Sequence, residues 1–328
     1  MHDGRWHMTD QRRTEDLGLS AHLGRGEMWA LLSAAAYALN HIFLRIALGA
    51  YELNNTVAAT VQAAPTLLLT AVLGLWSIRK DRRKASIGHD WKLVGALLGN
   101  GLLLFVVATP LLFAAFREGG VLVTSPVVGT QVLWGAGLAA LLLRESFNRI
   151  MALGMMVSVA GIAVLTLGSS SGANLSATWW MAVPYALGAA FCWALSGVLL
   201  RYVMRRGVDR FLALAVIIAT GVVTLNILLF AAGDGGLYAS TPGSVLVSAV
   251  VAGLFSMVAL VAITTALSLT NVASASAVNS LQVGLAPILA WVFLSESLNL
   301  IMVAGIALIL VGVTVVQGST SVGAGDGR

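Results

Sequence analysis

Residues 125–164 read SPVVGTQVLWGAGLAALLLRESFNRIMALGMMVSVAGIAV, and residues 276–315 read SAVNSLQVGLAPILAWVFLSESLNLIMVAGIALILVGVTV. A shift of 151 residues aligns the two stretches with 15 identities in 40 positions. The identities include Glu145 with Glu296, Gly154 with Gly305 and Gly161 with Gly312. Such similarity at a fixed offset indicates that the chain contains two copies of one structural unit.

The similarity also covers the start of each copy. Residues 30–45 match residues 186–201 at seven of sixteen positions after a shift of 156. We therefore expect two repeats joined by a linker and flanked by tails. The predicted segments are an N-terminal tail at 1–27, a first repeat at 28–168, a linker at 169–178, a second repeat at 179–317 and a C-terminal tail at 318–328.

The composition is that of an integral membrane protein. The chain has 328 residues, of which 58% are hydrophobic and only 10% are charged, and its mean hydropathy is +0.90. Soluble proteins are about one quarter charged, so most of this surface must face lipid. The single cysteine, Cys192, excludes an intramolecular disulfide, and no metal-ligand spacing is present. We expect no cofactor and no metal.

Ten stretches approach the length of about 20 apolar residues that a membrane-spanning helix needs. They are residues 28–49, 56–78, 93–116, 121–143, 150–167, 179–200, 211–232, 244–267, 272–294 and 301–316. Each repeat holds five of them. Because five is odd, the second copy must cross the membrane in the opposite direction to the first. The predicted fold is therefore all-α, with ten transmembrane helices as two inverted five-helix repeats around a central cavity.

The basic residues predict the orientation. Seventeen of the 19 Lys and Arg residues lie in the two tails and in the loops on one side of the predicted spans. The other two are Arg117, on the opposite side, and Arg45, near the end of the first span. Basic loops stay in the cytoplasm, so we expect a multi-pass protein of the cell inner membrane with both termini cytoplasmic. The net charge of +5 is explained by these loops and does not indicate nucleic-acid binding.

The second repeat carries a recognisable pattern. It runs from Ala266 and Ser276 through Ala286-Pro287 and Leu294-x-Glu296 to Gly305 and Gly312. This pattern resembles the second EamA domain of the drug/metabolite transporter (DMT) superfamily, and the first repeat resembles the same domain more loosely. The resemblance implies a secondary transporter that works by alternating access. It leaves the solute open among amino acids, nucleotide sugars, phosphorylated sugars, amines and other metabolites.

The acidic residues weigh against coupling through a carboxylate. All 14 Asp and Glu residues lie in tails, in loops or at span ends, whereas cation-coupled antiporters usually keep an acid within the membrane. The small multidrug exporters, distant relatives by the same resemblance, carry a Glu eight residues before a basic residue in their first helix. Tyr37 and Trp193 occupy that spacing here, before Arg45 and Arg201. We therefore favour a facilitator or an exporter driven by the solute's own gradient.

Polar side chains within the spans are the candidate solute-binding groups. Tyr37, Asn40 and His41 lie on the first span, and the repeat-equivalent Gln131 and Gln282 lie in the fourth and ninth spans. Amides facing lipid would lack hydrogen-bond partners, so these should face the interior. Either they bind a polar solute, or they only join helices, at about 0.6 kcal/mol per contact. His41 could also carry a proton.

Further candidates depart from the symmetry or are aromatic. Asn279 aligns with Val128 of the first repeat, and such a difference between equivalent positions favours a role in specificity. Trp134 and Trp193 could stack on a ring or cation or could simply pack. Pro126 and Pro287 interrupt their helices and are candidate hinges for gating. These two prolines complete the predicted set.

Other residues are expected to be structural. Glu145 and Glu296 should cap the helix that follows each of them. Arg45 and Arg201 should extend to the lipid headgroups, with attraction of anions as the alternative. Small residues should allow close helix packing. The glycine pairs concerned are Gly154/Gly161, Gly305/Gly312 and Gly95/Gly99.

We therefore predict a transporter of a small polar metabolite, most simply an exporter of an amino acid or related compound. The alternative is an uptake permease or facilitator for an amine, nucleobase or sugar derivative. An enzyme would need a metal cluster or a paired acid and base at membrane depth, and a receptor would need a folded extramembrane domain. The predicted partners are the solute and the lipid bilayer, and the protein is expected to act as a monomer.

Overall fold

A computed structural model describes residues 24–49, 54–80, 90–143, 149–170, 178–269, 275 and 278–323. Within these ranges the regular elements are all helical. The main helices are α1 (Arg25–Gly49), α2 (Asn55–Lys80), α3 (Trp91–Leu102), α4 (Thr109–Gly129), α5 (Gln131–Leu143), α6 (Arg149–Ser170), α7 (Ala182–Arg205), α8 (Arg210–Ala231), α9 (Leu237–Ser240), α10 (Gly243–Leu269), α11 (Gln282–Leu294) and α12 (Leu300–Gly323). A π-helical segment, Leu103–Ala108, joins α3 to α4.

Seven of the described helical stretches are long and apolar enough to cross a membrane. One of them, Trp91–Gly135, is 45 residues long, about twice the length that a bilayer needs. Gly120 breaks it, with φ 63° and ψ −167° inside α4. Two shorter apolar helices, Gln282–Leu294 and Leu300–Val316, follow near the C-terminus. The chain is thus a multi-pass, all-helical membrane protein.

Helices α6 and α12 are the most closely packed pair. A Cβ added at Gly154 would lie 2.8 Å from the carbonyl oxygen of Gly312, and one at Gly161 would lie 2.9 Å from that of Gly305. Ser158 donates a hydrogen bond to the carbonyl of Ile309 across the same contact (3.4 Å). The two glycine pairs let the backbones approach as predicted. The Gly95/Gly99 prediction is wrong, because a Cβ at either position would meet no atom within 4 Å.

The contacts between the two repeats come in matched sets. Helix α2 packs on α8, and α6 packs on α12, so each of these pairs joins equivalent helices. The packing of α1 on α10 is matched by that of α4 on α7, and the packing of α1 on α11 by that of α5 on α7. Exchanging the repeats therefore reproduces the pattern, which places the centre of the bundle between them.

The two ends of the bundle are packed differently. We call the end where α1 finishes and α7 begins the packed end, and the opposite end the divided end. At the packed end one continuous core includes buried residues from both repeats, among them Leu48, Phe116 and Ala186. At the divided end Met151 of α6 and Val316 of α12 still belong to this core, but other described buried residues form two separate clusters. One comprises Leu93, Leu97, Val203, Val208, Ala213 and Ile217, and the other Ala30, Ala266 and Ala275.

Candidate solute-binding cavity

A cavity of about 460 Å³ lies at the centre of the bundle. Its volume is within the range of about 300–1,000 Å³ typical of small-ligand sites. Its wall contains seven of the eight residues proposed from the sequence: Tyr37, Asn40, His41, Gln131, Trp193, Asn279 and Gln282. The described lining residues include no Asp, Glu, Lys or Arg. The cavity wall is therefore polar without a carboxylate or a basic side chain.

The cavity extends towards the divided end. Ile217, which belongs to the cluster of α3, α7 and α8, lines one side of it. Ile263, which packs against the cluster of alanines from α1 and α10, lines the other. The space between these two clusters is thus continuous with the central cavity.

His41 is held in place by two contacts. Its Nδ1 lies 2.9 Å from Ser125 Oγ, and its ring meets Phe116 edge-on, with centroids 5.3 Å apart. Ser125 is buried, and its hydroxyl has no other acceptor among the described residues. A buried hydroxyl proton needs an acceptor, so we assign Ser125 as the donor and Nδ1 as the acceptor. The ring proton then lies on Nε2, which leaves His41 as a neutral donor beside the cavity.

Asn40 is largely occupied in joining helices. Its Nδ2 donates to the carbonyl of Ala252 on α10 at 2.7 Å, and Ser33, two turns earlier, donates to Ala259 at 3.0 Å. The side chain of Asn40 is 5% exposed. Of the two roles considered for this residue, the structure supports helix pairing directly, and its position in the wall adds only a small polar surface.

Gln131 and Gln282 each begin a helix. The chain turns at Thr130 before α5 and at Ser280–Leu281 before α11, and these turns are repeat-equivalent. Thr130 Oγ1 donates to the carbonyl of Val127 at 2.6 Å, while Leu281, which precedes α11, provides no side-chain cap. Both helices start at the cavity, so their partly positive N-terminal ends lie there. Broken helices of this kind form solute sites in other transporters.

Asn279 has a polar atom without a partner. Its Oδ1 is buried and accepts no hydrogen bond from the described residues. Asn100 also has a buried Oδ1 without a partner, but its Nδ2 donates to the carbonyl of Ser196 at 3.2 Å and the residue lies outside the cavity wall. Asn279 differs in that it lies in the cavity wall, where its amide is a candidate to meet a solute.

The two candidate tryptophans lie in different places, one in the cavity wall and one outside it. Trp193, on α7, lines the cavity. Trp134 does not: it is 40% exposed and meets Phe191 edge-on at 5.5 Å on the outside of the bundle. The two tryptophans could not be distinguished from the sequence, because an aromatic ring packs as well against lipid as against a cavity.

The sequence analysis missed several lining residues. Gln62 is in the wall, as are Thr66, Thr109, Ser125, Ser256, Phe105 and Phe113. In helices, Ser and Thr can satisfy themselves by bonding to a preceding carbonyl, and Thr109 does so with Leu104 at 2.9 Å. Their positions therefore carried little information in the sequence.

The proposed hinges lie beside the breaks in the helices. Pro126 lies four residues before Thr130, and Pro287 lies six residues after Leu281; both are buried. The turns themselves fall at Thr130 and Ser280–Leu281. Whether the prolines bend further during transport remains a prediction.

The sequence profile of the EamA-like transporter family matches residues 24–167 and 180–317. The chain belongs to the EamA-like transporter family. It is accordingly a membrane transporter of the drug/metabolite transporter type. The matched residues include the whole described cavity wall.

Comparison with solved structures shows the same fold. One crystal structure, titled only "Crystal structure of protein", has a TM-score of 0.58 and 18% identity over 92% of this chain and 99% of its own. At this identity the similarity concerns the fold alone. No curated protein matches the sequence.

Proposed function

We propose that this EamA-like transporter moves a small polar metabolite, such as an amino acid, out of the cell by alternating access. In this proposal ten helices form two inverted halves of five, counting the two arms of α4 on either side of Gly120 as parts of different crossings. One chain is the transport unit. The observation that carries the proposal is a central, uncharged, polar cavity that is lined by both repeats and extends towards the divided end.

The matched contacts between repeats support the inverted arrangement. The larger contacts between the repeats, such as those of α1 with α10 and with α11, have counterparts in which the repeats are exchanged. A unit with an odd number of crossings can produce such a pattern only if its copy is inverted. The unequal ends then represent one state of a two-state device, with the opposite state formed by exchanging the roles of the repeats.

The charge distribution supports the orientation. The divided end carries the basic residues at the ends of α2 and α7 and at the starts of α3 and α8. They are Arg79, Lys80, Lys92, Arg201, Arg205, Arg206 and Arg210. Basic segments remain in the cytoplasm, so we assign the divided end to the cytoplasm of the inner membrane, together with both termini. The cavity then faces the compartment from which an exporter loads.

The chemistry of the wall supports a zwitterion. The N-terminal ends of α5 and α11 favour a negative group without supplying a full charge. Asn279 Oδ1 is an open acceptor for an ammonium proton, and Trp193 and Tyr37 offer ring faces to a cation or an apolar side chain. A wall without a charged residue binds a solute whose own charges cancel at lower cost than one with a net charge.

A growth-rescue assay tests the proposal. Cells that overproduce the chain are challenged with toxic levels of single amino acids, dipeptides and amines, and we expect resistance to a narrow set of them. The double variant Asn279→Ala, Gln282→Ala should lose that resistance, because it removes the open acceptor and one of the two helix-start amides. Accumulation of the labelled solute in inverted vesicles then measures transport directly.

The two tryptophans provide a matched control. Trp193→Ala should weaken transport about tenfold or more, since ring contacts with a ligand contribute about 1–3 kcal/mol where they are desolvated. Trp134→Ala removes the same side chain outside the cavity and should leave transport near the wild-type level. If no solute separates the wild type from the double variant, or if both tryptophan variants behave alike, the proposed cavity is not the transport site.

A further inference from the structure

Glu296 joins three segments at the packed end. Its Oε1 accepts a hydrogen bond from the backbone N–H of Val121 at 3.0 Å, and its Oε2 accepts one from that of Leu122 at 2.9 Å. Arg45, at the end of α1, places its Nε 3.8 Å from Oε1. The carboxylate therefore caps the α4 arm that starts after Gly120, which belongs to the other repeat. The sequence-based expectation that it caps its own following helix is wrong.

The backbone on both sides of this contact is unusual. Gly120 has φ 63°, and a Cβ there would collide with the carboxylate of Glu296. Ser295 has φ 54° and is the one non-glycine residue with positive φ among those described. A side chain in the left-handed region costs roughly 1–2 kcal/mol. The contact thus requires a glycine on one side and a strained serine on the other, which marks it as specifically maintained.

The position of the contact gives it a role in closure. Glu296 follows α11, and Arg45 lies near the end of α1; these two helices pack on each other and contribute to the cavity wall, and α1 also packs on α10. Val121 and Leu122 lie in α4, which packs on α7 as well as on α1 and α11. The carboxylate therefore connects the side of the cavity formed with α10 to the side formed with α7, and these sides are separate at the divided end. The described ion pair at the divided end, Asp90–Arg206, joins α3 and α7, which belong to the same side.

We propose that Glu296 is a releasable latch, and that the packed end opens only when its carboxylate leaves the N–H groups of Val121 and Leu122. This inference rests on the proposed function, in which the two ends open in turn. Hydrogen bonds to an ionised acceptor are strong, so the contact stabilises the closed form of the packed end. The Glu296 side chain is 15% exposed and that of Arg45 is 28% exposed, so water can take over their hydrogen bonds when the latch releases.

The test compares thiol reactivity at the two ends. Replacing the sole cysteine by alanine, C192A, gives a background without thiols. A reporter cysteine is then placed at Leu48, 2% exposed at the packed end, or at Leu97, 1% exposed at the divided end. Each reporter is combined with Glu296→Gln, which keeps the shape of the side chain but removes its charge. Membranes open on both sides are treated with a small maleimide, and the labelling rate is measured.

We expect Glu296→Gln to speed labelling at position 48 about tenfold, since an ionised acceptor binds roughly twice as strongly as a neutral one, with little change at position 97. Glu118→Gln is the matched control: it makes the same change near the same end, at a carboxylate that accepts a hydrogen bond from Thr178 Oγ1. It should alter neither rate. Arg45→Gln should act like Glu296→Gln but more weakly.

Two results would overturn the latch. Unchanged labelling at position 48 in Glu296→Gln would mean that the carboxylate does not control this end. Equal acceleration at positions 48 and 97 would mean that Glu296 only stabilises the whole fold. The growth-rescue assay fails or succeeds independently, because labelling needs no solute: a latch response without any rescued solute would count against the proposed function alone.

Discussion

The packed end and the divided end are built from equivalent helices but differ in how their cores are joined. At the packed end large side chains such as Phe113 and Phe116 belong to one core that spans both repeats. At the divided end one cluster consists of three alanines, Ala30 on α1, Ala266 on α10 and Ala275, and it is separate from the cluster on α3, α7 and α8. Similar repeats thus pack asymmetrically, as expected of a scaffold with two interchangeable states.

The largest effect is expected at the contact between α6 and α12, which extends along the bundle between its two ends. Gly305→Val places a Cβ that would lie 2.5 Å from the backbone nitrogen of Leu165, so α6 and α12 must separate along their length. We expect a loss of more than about 4 kcal/mol of stability and little monodisperse protein by fluorescence-detected size-exclusion chromatography. Gly95→Val, with no atom within 4 Å of the added Cβ, should behave as wild type. Normal yield of Gly305→Val would show that the close contact of α6 with α12 is not needed for a stable fold.

A medium effect is expected at the packed end from the break in α4. Gly120→Ala combines a backbone conformation that is almost exclusive to glycine, at φ 63° and ψ −167°, with a collision against Glu296. Gly233→Ala meets no atom within 4 Å and has a left-handed conformation, at φ 84° and ψ 3°, which costs an alanine less. We therefore expect Gly120→Ala to cost at least about 2 kcal/mol more than Gly233→Ala, from the backbone strain and the disturbed hydrogen bonds to the carboxylate together. Thermal unfolding in detergent measures both. Equal unfolding temperatures would mean that the capping bonds contribute nothing to stability.

The smallest effect is expected at the divided end. Arg206 and Asp90 are 3.4 Å apart with side chains 53% and 35% exposed, and exposed pairs contribute about 0–1 kcal/mol. Arg206→Gln should therefore leave both the unfolding temperature and the labelling of position 48 within error of wild type. Arg45→Gln, measured in parallel, should speed that labelling. If the Arg206 change has the larger effect, the distinction between the ends is wrong.

The sequence predicted the parts of this molecule that depend on one residue's own chemistry. Amides and imidazoles inside apolar spans are costly in lipid, so His41, Gln131 and Gln282 could be expected at the cavity. Glycines spaced seven apart could be expected at a close helix crossing, and Gly305 and Gly312 lie at one. Membership of the EamA-like family was likewise evident from the repeat pattern.

What depends on a partner far along the chain could not be predicted. Glu296 caps a helix 174 residues away, and neither sequence neighbourhood records that pairing. The outward position of Trp134 and the inward position of Gln62 depend on the rotation of their helices, which a nearly uniform apolar sequence leaves undetermined. The Gly95/Gly99 spacing matched a packing motif, yet both residues face open space.

The uncharged wall of the cavity has an electrical consequence. Moving one elementary charge across a membrane potential of 100 mV changes its energy by about 2.3 kcal/mol. If the protein carries a solute whose charges cancel, as proposed, it displaces almost no charge across that potential, because its described cavity wall holds no carboxylate or basic side chain. Its turnover should then be insensitive to membrane voltage, and the direction of net flow would follow the two solute concentrations alone.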